Sequence, residues 1–572
     1  MKWLVFQILF FIQVNLLANN LITSHAFSFF DKPKYQENFT HFDYVDTQAK
    51  KGGSLSFGGV IEFNSLNPFN AISIAPEIIE PLCFATLGKQ SLDEDETFYH
   101  YLADKFIWPD NFSWFEVTLN KNARFSDQSP ITTKDVDFSL VTLQHHGKPI
   151  YQAQYQHITG TEILSEHKIR FYFKQPYSYH HIVSLIKLPI LQKTYFQKID
   201  FEKPHSNLFP CSGPYEVASF TSGKKVTFKR RKDFWGENLN VNKNQFNFDE
   251  INYYSFKHAE SAIENIATKK TNFHLELNSK RWQYPINKKA EAKGALLKQR
   301  IALPFYSRQI YIAFNLRRTK FQNIKVRQAI NCLFDKQWIL EKILYNEYLI
   351  ANEYFPGLQP INAIKAVSCD LLTPQQRRLK AHSLLTEAGW ELKNRQRINA
   401  HDEVFNIQFL AFSPGLKRII QSFINELNLL GIKTSVDIPD MSISIQRYRN
   451  FDFDLTYAMR KIDYLSAQSL QSQLSSESGK KSGSQNISGI NDSVIDEIIK
   501  KIMNATSKNS IHQLLIKLNE RLVLQNFMMP FFYNQSMRIA FWQGFHFLKQ
   551  PPSKHFTFHD LINLAWFGKG SS

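Results

Sequence analysis

Three neighbouring stretches decide the fold: VFNIQFLA (residues 404–411), SPGLKRIIQSFINELNLLG (413–431) and FDFDLTYAM (451–459). In the middle one Leu416, Ile419, Ile420, Phe423, Ile424, Leu427 and Leu430 recur at helical spacing, the stripe of an amphipathic helix. Gly431 stops it, because glycine accepts the left-handed backbone that closes a helix. The flanking stretches have strand character. Strand, helix, strand is the repeating unit of an α/β layer.

The same alternation runs outward along most of the chain. Gly53 to Val60 reads as a strand entering a loop, Phe63 to Pro68. Thr132 or Thr133 caps a helix that reaches about His145, with Asp135 near its positive end. Ala259, Ala262, Ile263, Ile266 and Ala267 form a second apolar stripe. Further helices are expected at Asn323–Tyr345, Thr373–Ala388, Asp492–Met503 and Ser510–Asn526. Ser475 to Gly489, rich in Ser, Gly and Lys, reads as a mobile surface loop. No internal repeat is visible.

The first 26 residues set the compartment. Lys2 is the only charge before an apolar run from Trp3 to Ile22, and Ser24-His25-Ala26 supplies small residues at the positions a signal peptidase reads. A cleavable secretory signal is expected over 1–26, with an N-terminal anchor as the alternative. Asn15, Asn19 and Asn20 interrupt the run, which makes it a weak bilayer span. No later segment approaches the roughly 20 apolar residues a membrane helix needs. The remaining 546 residues (572 minus 26) exceed what one core serves, so two or three domains are expected.

A net charge of +17 suits an acidic ligand or an anionic lipid surface, or reflects solvated lysines. The densest basic stretch, Lys280 to Arg300, includes Glu291 and several apolar residues and reads as surface rather than a nucleic-acid stripe. Cys83, Cys211, Cys332 and Cys369 lack metal-type spacing, and their pairing is not deducible. None lies near the signal exit to accept a lipid, which favours a soluble periplasmic protein. G-x-S-x-G, H-E-x-x-H and P-loop signatures are absent. The adjacent pairs His145-His146 and His180-His181 read as satisfied surface residues rather than metal ligands. No catalytic residue, metal or cofactor is expected, and a binding role is the default.

A series of segments then points to one family. Lys51-Gly52-Gly53-Ser54-Leu55 and Ser65-Leu66-Asn67-Pro68-Phe69 resemble the opening strand and first loop of family 5 extracellular solute-binding proteins. Ala123-Arg124-Phe125-Ser126-Asp127, Pro130-Ile131-Thr132 and Asp135-Val136 resemble its next signature, and Ser212-Gly213-Pro214-Tyr215 matches its SGPY motif. Phe248-Asp249-Glu250-Ile251, Phe314-Asn315-Leu316-Arg317-Arg318 and Val326-Arg327-Gln328-Ala329-Ile330 are similar to the later ones. The resemblance spans roughly residues 40 to 565. His41 to Asp46, Ser91 to Glu94 and Phe321-Gln322 look like the oligopeptide- and microcin C-binding branch. Gln128 and Asn346 stand where that family has glycine, and the segment after Phe355 diverges.

The resemblance implies an α/β fold, a two-lobed periplasmic binding protein of the class II, peptide-binding type, with an extra subdomain in the first lobe. Its segments would be a signal peptide (1–26), lobe I (27–69), the extra subdomain (70–211), lobe I again (212–302), lobe II (303–534) and a lobe I C-terminal part (535–572). The implied function is capture of peptides or peptide-like compounds by hinge closure, and delivery to ABC transporter permease subunits in the inner membrane. No nucleic acid is involved and a monomer is expected.

The resemblance places Asp463 at the peptide amine, beside Tyr464, with Arg460 and Lys461 open to a carboxylate or phosphate. Arg281, Trp282 and Tyr284 match a segment that lines the cleft, and Phe532 and Tyr533 a ligand-facing strand. Asn67 and Ser73 are weaker candidates, since Asn67 suits a turn before Pro68. Two other readings stay open. An exported hydrolase needs a nucleophile–base pair or two poised carboxylates, and a degenerate sensing or structural protein would fill its cleft with its own side chains.

Overall fold

A computed structural model describes residues 20–303, 308–355, 358, 369–461, 467–505, 507–548 and 550–568. The deciding stretch folds as its pattern predicts. Strand Asn406–Leu410 runs into helix Pro414–Leu429, which leads to strand Lys433–Asp437; the first of these strands is parallel to Lys433–Asp437 on one side and Leu455–Lys461 on the other. Ser413 caps the helix by accepting from Leu416 N–H, Pro414 takes its first position, and Gly431 follows its end at φ +81°. These strands belong to a six-stranded sheet in the order 349–350, 528–533, 308–314, 455–461, 406–410, 433–437.

Alternation along the central strand makes this sheet the middle layer of its lobe. Ile312 and Phe314 enter one core with Ile420, Phe423 and Leu427; Tyr311 and Ala313 enter another with Ile495, Ile499, Leu515 and Leu522. Side chains one residue apart on a strand face opposite ways, so helices cover both faces.

The other lobe gathers a four-stranded sheet (215–221, 225–230, 250–255, 54–59), a three-stranded sheet (273–275, 536–542, 296–302) and a five-stranded sheet (21–24, 103–109, 114–119, 168–173, 158–165) around one large apolar core, with a small second cluster of Ile266, Ala290 and Leu296. The five-stranded sheet lies within the insertion expected at 70–211, apart from its first strand.

That first strand is a finding. Leu21–Ser24 pairs antiparallel with Phe106–Pro109, Ala26–Phe27 pairs with Phe98–Tyr99, and Ala26 and Phe27 are both 1% exposed. Phe27 meets Trp108 edge-on at 5.1 Å. A cut after Ala26, the expected boundary, would remove an edge strand and half of the next pairing.

Several local expectations change. The helix expected over Asn323–Tyr345 is two, Ile324–Cys332 and Lys336–Lys342, because Asp335 caps a new start by accepting from Trp338 N–H. Ser475–Gly489 is no mobile loop. Arg317 donates to the carbonyls of Gly479, Asn486 and Ile487, and buried Asn486 is bonded to Ser475 and Ile490. His180 and His181 are buried in helix Tyr179–Ile186, not on the surface. Gln128 and Asn346, in the places of family glycines, sit at φ +70° and +58°. Asparagine accepts that backbone readily; glutamine holds it less well. Cys332 and Cys369 form a disulfide.

A chain beginning at Phe27 should unfold below one beginning at Asn20, by roughly 1 °C for each kcal/mol lost in a body of about 550 residues. Equal melting midpoints would show that the edge strand adds nothing.

Candidate functional site

The two lobes are joined where strands 296–302 and 528–533 leave their sheets for strands 308–314 and 536–542, and Leu303 N–H donates to Gln535 O at 2.8 Å across these crossings. The hinge-side edge of the six-stranded sheet is a single row in register: Leu349 opposite Tyr533, Tyr533 opposite Gln309, Gln309 opposite Arg460, with Arg308 opposite Lys461. Three sequence-predicted residues, Arg460, Lys461 and Tyr533, therefore share one edge, with Phe532 one step inward. Asp463 and Tyr464 lie outside the described residues.

The second predicted group sits on the facing lobe. Asn278 caps the turn Ser279–Trp282 by accepting from Arg281 N–H. Arg281 Nε reaches Glu276 at 3.2 Å, and Glu276 also meets His274 at 3.4 Å and accepts from Asn278 N–H at 2.6 Å. Burial alone would raise the Glu276 carboxyl; the His274 bond, the Asn278 N–H and the Arg281 charge hold it below its ordinary value instead. Trp282 is buried, and Lys298 Nζ lies 4.4 Å from its ring centroid with the Arg300 guanidinium at 5.4 Å. Its ring anchors cations rather than lying open. Lys298 donates to the Trp282 and Tyr284 carbonyls at 2.6 and 2.9 Å. Tyr284 is the candidate whose ring is offered to solvent, at 58% exposure.

Residues that sequence reasoning missed join these groups. Glu347, on the six-stranded lobe, accepts from Arg300 at 2.7 Å and Gln283 at 2.9 Å and pairs with Arg538 at 3.6 Å, all three on the other lobe. Its side chain is 8% exposed, and despite burial the Arg300 bond holds its carboxyl low. Tyr348 lays its ring 4.4 Å from Phe532 while its hydroxyl donates to Leu277 O at 3.3 Å and accepts from Arg538 at 2.9 Å. Tyr348 thus ties the Phe532 edge to the Glu276–Arg281 group. The one available signal was position: Glu347-Tyr348 directly follows Asn346, a residue that departs from the family pattern.

Asn67 and Ser73 do not join this group. Asn67 is fully buried, donates to Phe201 O at 3.0 Å and accepts from Phe69 N–H at 2.9 Å, the bonds of a turn. Ser73 N–H donates to Asn70 at 2.7 Å, and its buried hydroxyl finds no partner among the described residues.

The chain matches the model of the bacterial extracellular solute-binding proteins, family 5, over residues 97–482. It is 28% identical to the uncharacterised protein YejA of Escherichia coli over 557 residues, 92% of this chain and 91% of that one. It is also 28% identical to the probable peptide-binding protein YejA of Agrobacterium fabrum, with 89% of each chain covered. Among solved structures, the oligopeptide-binding protein AppA of Bacillus subtilis, in complex with a nonapeptide, superposes with a TM-score of 0.73 at 17% identity, covering 91% of this chain and all of that one. That likeness is one of fold.

The Glu276 and Glu347 carboxyls both titrate below their ordinary value of 4.5, so their contribution to stability is complete above it and is lost as pH falls through the lower folded values. Glu347→Gln should destabilise the protein by ~1–3 kcal/mol near neutral pH and flatten its loss of stability below pH 4.5. Thermal unfolding across that range measures both effects, and an unaltered acid profile would remove Glu347 from the bridge.

Proposed function

Since the chain belongs to the bacterial extracellular solute-binding proteins of family 5, we propose that it captures peptides or peptide-like compounds between its lobes in the periplasm and passes them to the permease of an ABC importer. The observation that carries this is the pairing of two α/β lobes through two strand crossings, with polar and aromatic side chains from both lobes meeting beside them. The probable peptide-binding relative and the nonapeptide bound by AppA support peptide as the ligand class.

A peptide offers an ammonium, a carboxylate and a backbone of paired donors and acceptors. The strand edge at Arg460–Lys461 supplies cations suited to the carboxylate, and Asp463, just beyond, an anion suited to the ammonium. Tyr284 offers a ring face to side chains. Micromolar affinity needs only about 8 kcal/mol net, which backbone hydrogen bonds and one charged terminus supply without reading sequence. The protein works as a monomer that closes on its ligand, without turnover. Lobe I comprises 27–69, 212–302 and 535–572, the extra subdomain 70–211, and lobe II 303–534. An export signal that ends before Leu21 fits the strand pairing of Leu21–Ser24 better than a cut after Ala26.

A peptide mixture at a hundred times the dissociation constant should stabilise the protein by about 2.7 kcal/mol, seen as a raised melting midpoint. No shift at saturation would contradict peptide capture. Asp463→Ala should weaken free-amine peptides more than their N-acetylated forms in calorimetric titrations; equal weakening would take Asp463 away from the amine.

A further inference from the structure

The chain enters and leaves its large insertion through two segments that lie side by side. Gly213 N–H donates to Cys83 O at 2.9 Å, and Ala85 N–H donates to the Ser212 hydroxyl at 3.0 Å. A Cβ on Gly213 would come within 2.8 Å of the Cys83 carbonyl carbon, so this approach admits only glycine. Arg231, itself 2% exposed, locks the outgoing segment by donating to the carbonyls of Cys211 and Gly213 at 3.0 and 3.2 Å. Between these clamps Cys83 and Cys211 face each other from the two segments as free, fully buried cysteines, the Cys211 thiol donating to Phe209 O at 3.6 Å. The sequence left the cysteine pairing open, and the Cys332–Cys369 bridge accounts for the other two.

From this geometry we infer that Cys83 and Cys211 form a second disulfide, a staple across the neck of the insertion. The inference rests on export to an oxidising compartment. Each thiol loses a proton and the pair loses two electrons to the disulfide of an oxidising protein, which becomes a dithiol as the Cys83–Cys211 sulfur–sulfur bond forms. Burial pushes the Cys83 thiol well above its ordinary value, which suppresses the thiolate that must attack. The bond therefore forms while the neck is still open, before the insertion packs against the four-stranded sheet. Once closed it is shielded from reductants by the same burial.

The test is a thiol count on the full chain recovered from the periplasm, unfolded without reductant, alkylated and weighed intact. No alkylated cysteine, with a peptide joining Cys83 to Cys211 after proteolysis, is expected; Cys83→Ser should then expose one label, on Cys211. Two labels on Cys83 and Cys211, with Cys332 and Cys369 unlabelled, overturn the staple while leaving export intact. Four labels would contradict the oxidising compartment itself, and refolding that material in a glutathione redox buffer then decides the pairing. Zero labels after refolding uphold the staple and two overturn it.

Discussion

The crossing between the lobes governs the rest of the structure. Two strands pass from one sheet system to the other, tied together by the Leu303–Gln535 hydrogen bond, and the cores on either side are separate apolar bodies. Phe30 packs against both the first lobe's core and one core of the second, so relative motion is limited by that shared contact as well as by the polar groups that span the gap. Glu347 spans it beside the hinge, holding Arg300, Gln283 and Arg538 of the opposite lobe. Elsewhere Lys508 binds Asp31 and Asp95, and the Ser178 hydroxyl donates to Met503 O at 3.0 Å. A partly buried ion pair gives little net stabilisation against its desolvation but is costly to break one-sidedly. Such contacts fix which closed arrangement forms more than how tightly it holds.

This division suits a binding protein. A ligand shifts the balance between arrangements only by interactions it makes better in one of them. With the lobes held by polar bridges and the Phe30 contact rather than one continuous core, a few kcal/mol of ligand contacts is a deciding amount. Tyr284 keeps its ring exposed, and the row Leu349, Tyr533, Gln309 and Arg460 lies in register along the hinge-side edge of the six-stranded sheet.

Much of the fold was legible because the family motifs are scaffolding. Ser212 of the SGPY segment accepts from Ala85 N–H and donates to Ile190 O, and Tyr215 donates to Phe248 O. Asn315 donates to the Phe451 and Phe453 carbonyls, and Arg327 to four carbonyls at Phe321, Gln322, Gln525 and Asn526. Residues that close turns leave local patterns a reader can see. The site is different. Glu347, Tyr348, Arg538 and Glu276 act only because distant segments meet, and no spacing announces that. Lys298 and Arg300 belong to a stretch read as plain basic surface, yet both lie over Trp282. The Ser475–Gly489 composition suggested mobility because the partner that pins it, Arg317, is far away in sequence. At the N-terminus the small residues at 24–26 satisfy a peptidase pattern, while their pairing with strands near residue 100 is invisible locally.

Small-angle X-ray scattering on the free and the peptide-saturated protein tests the central claim most directly. Two lobes hinged at paired crossings should draw together, so the radius of gyration falls and the scattering curve changes shape on saturation. Superimposable curves, under conditions where binding is independently measured, would contradict a hinged trap.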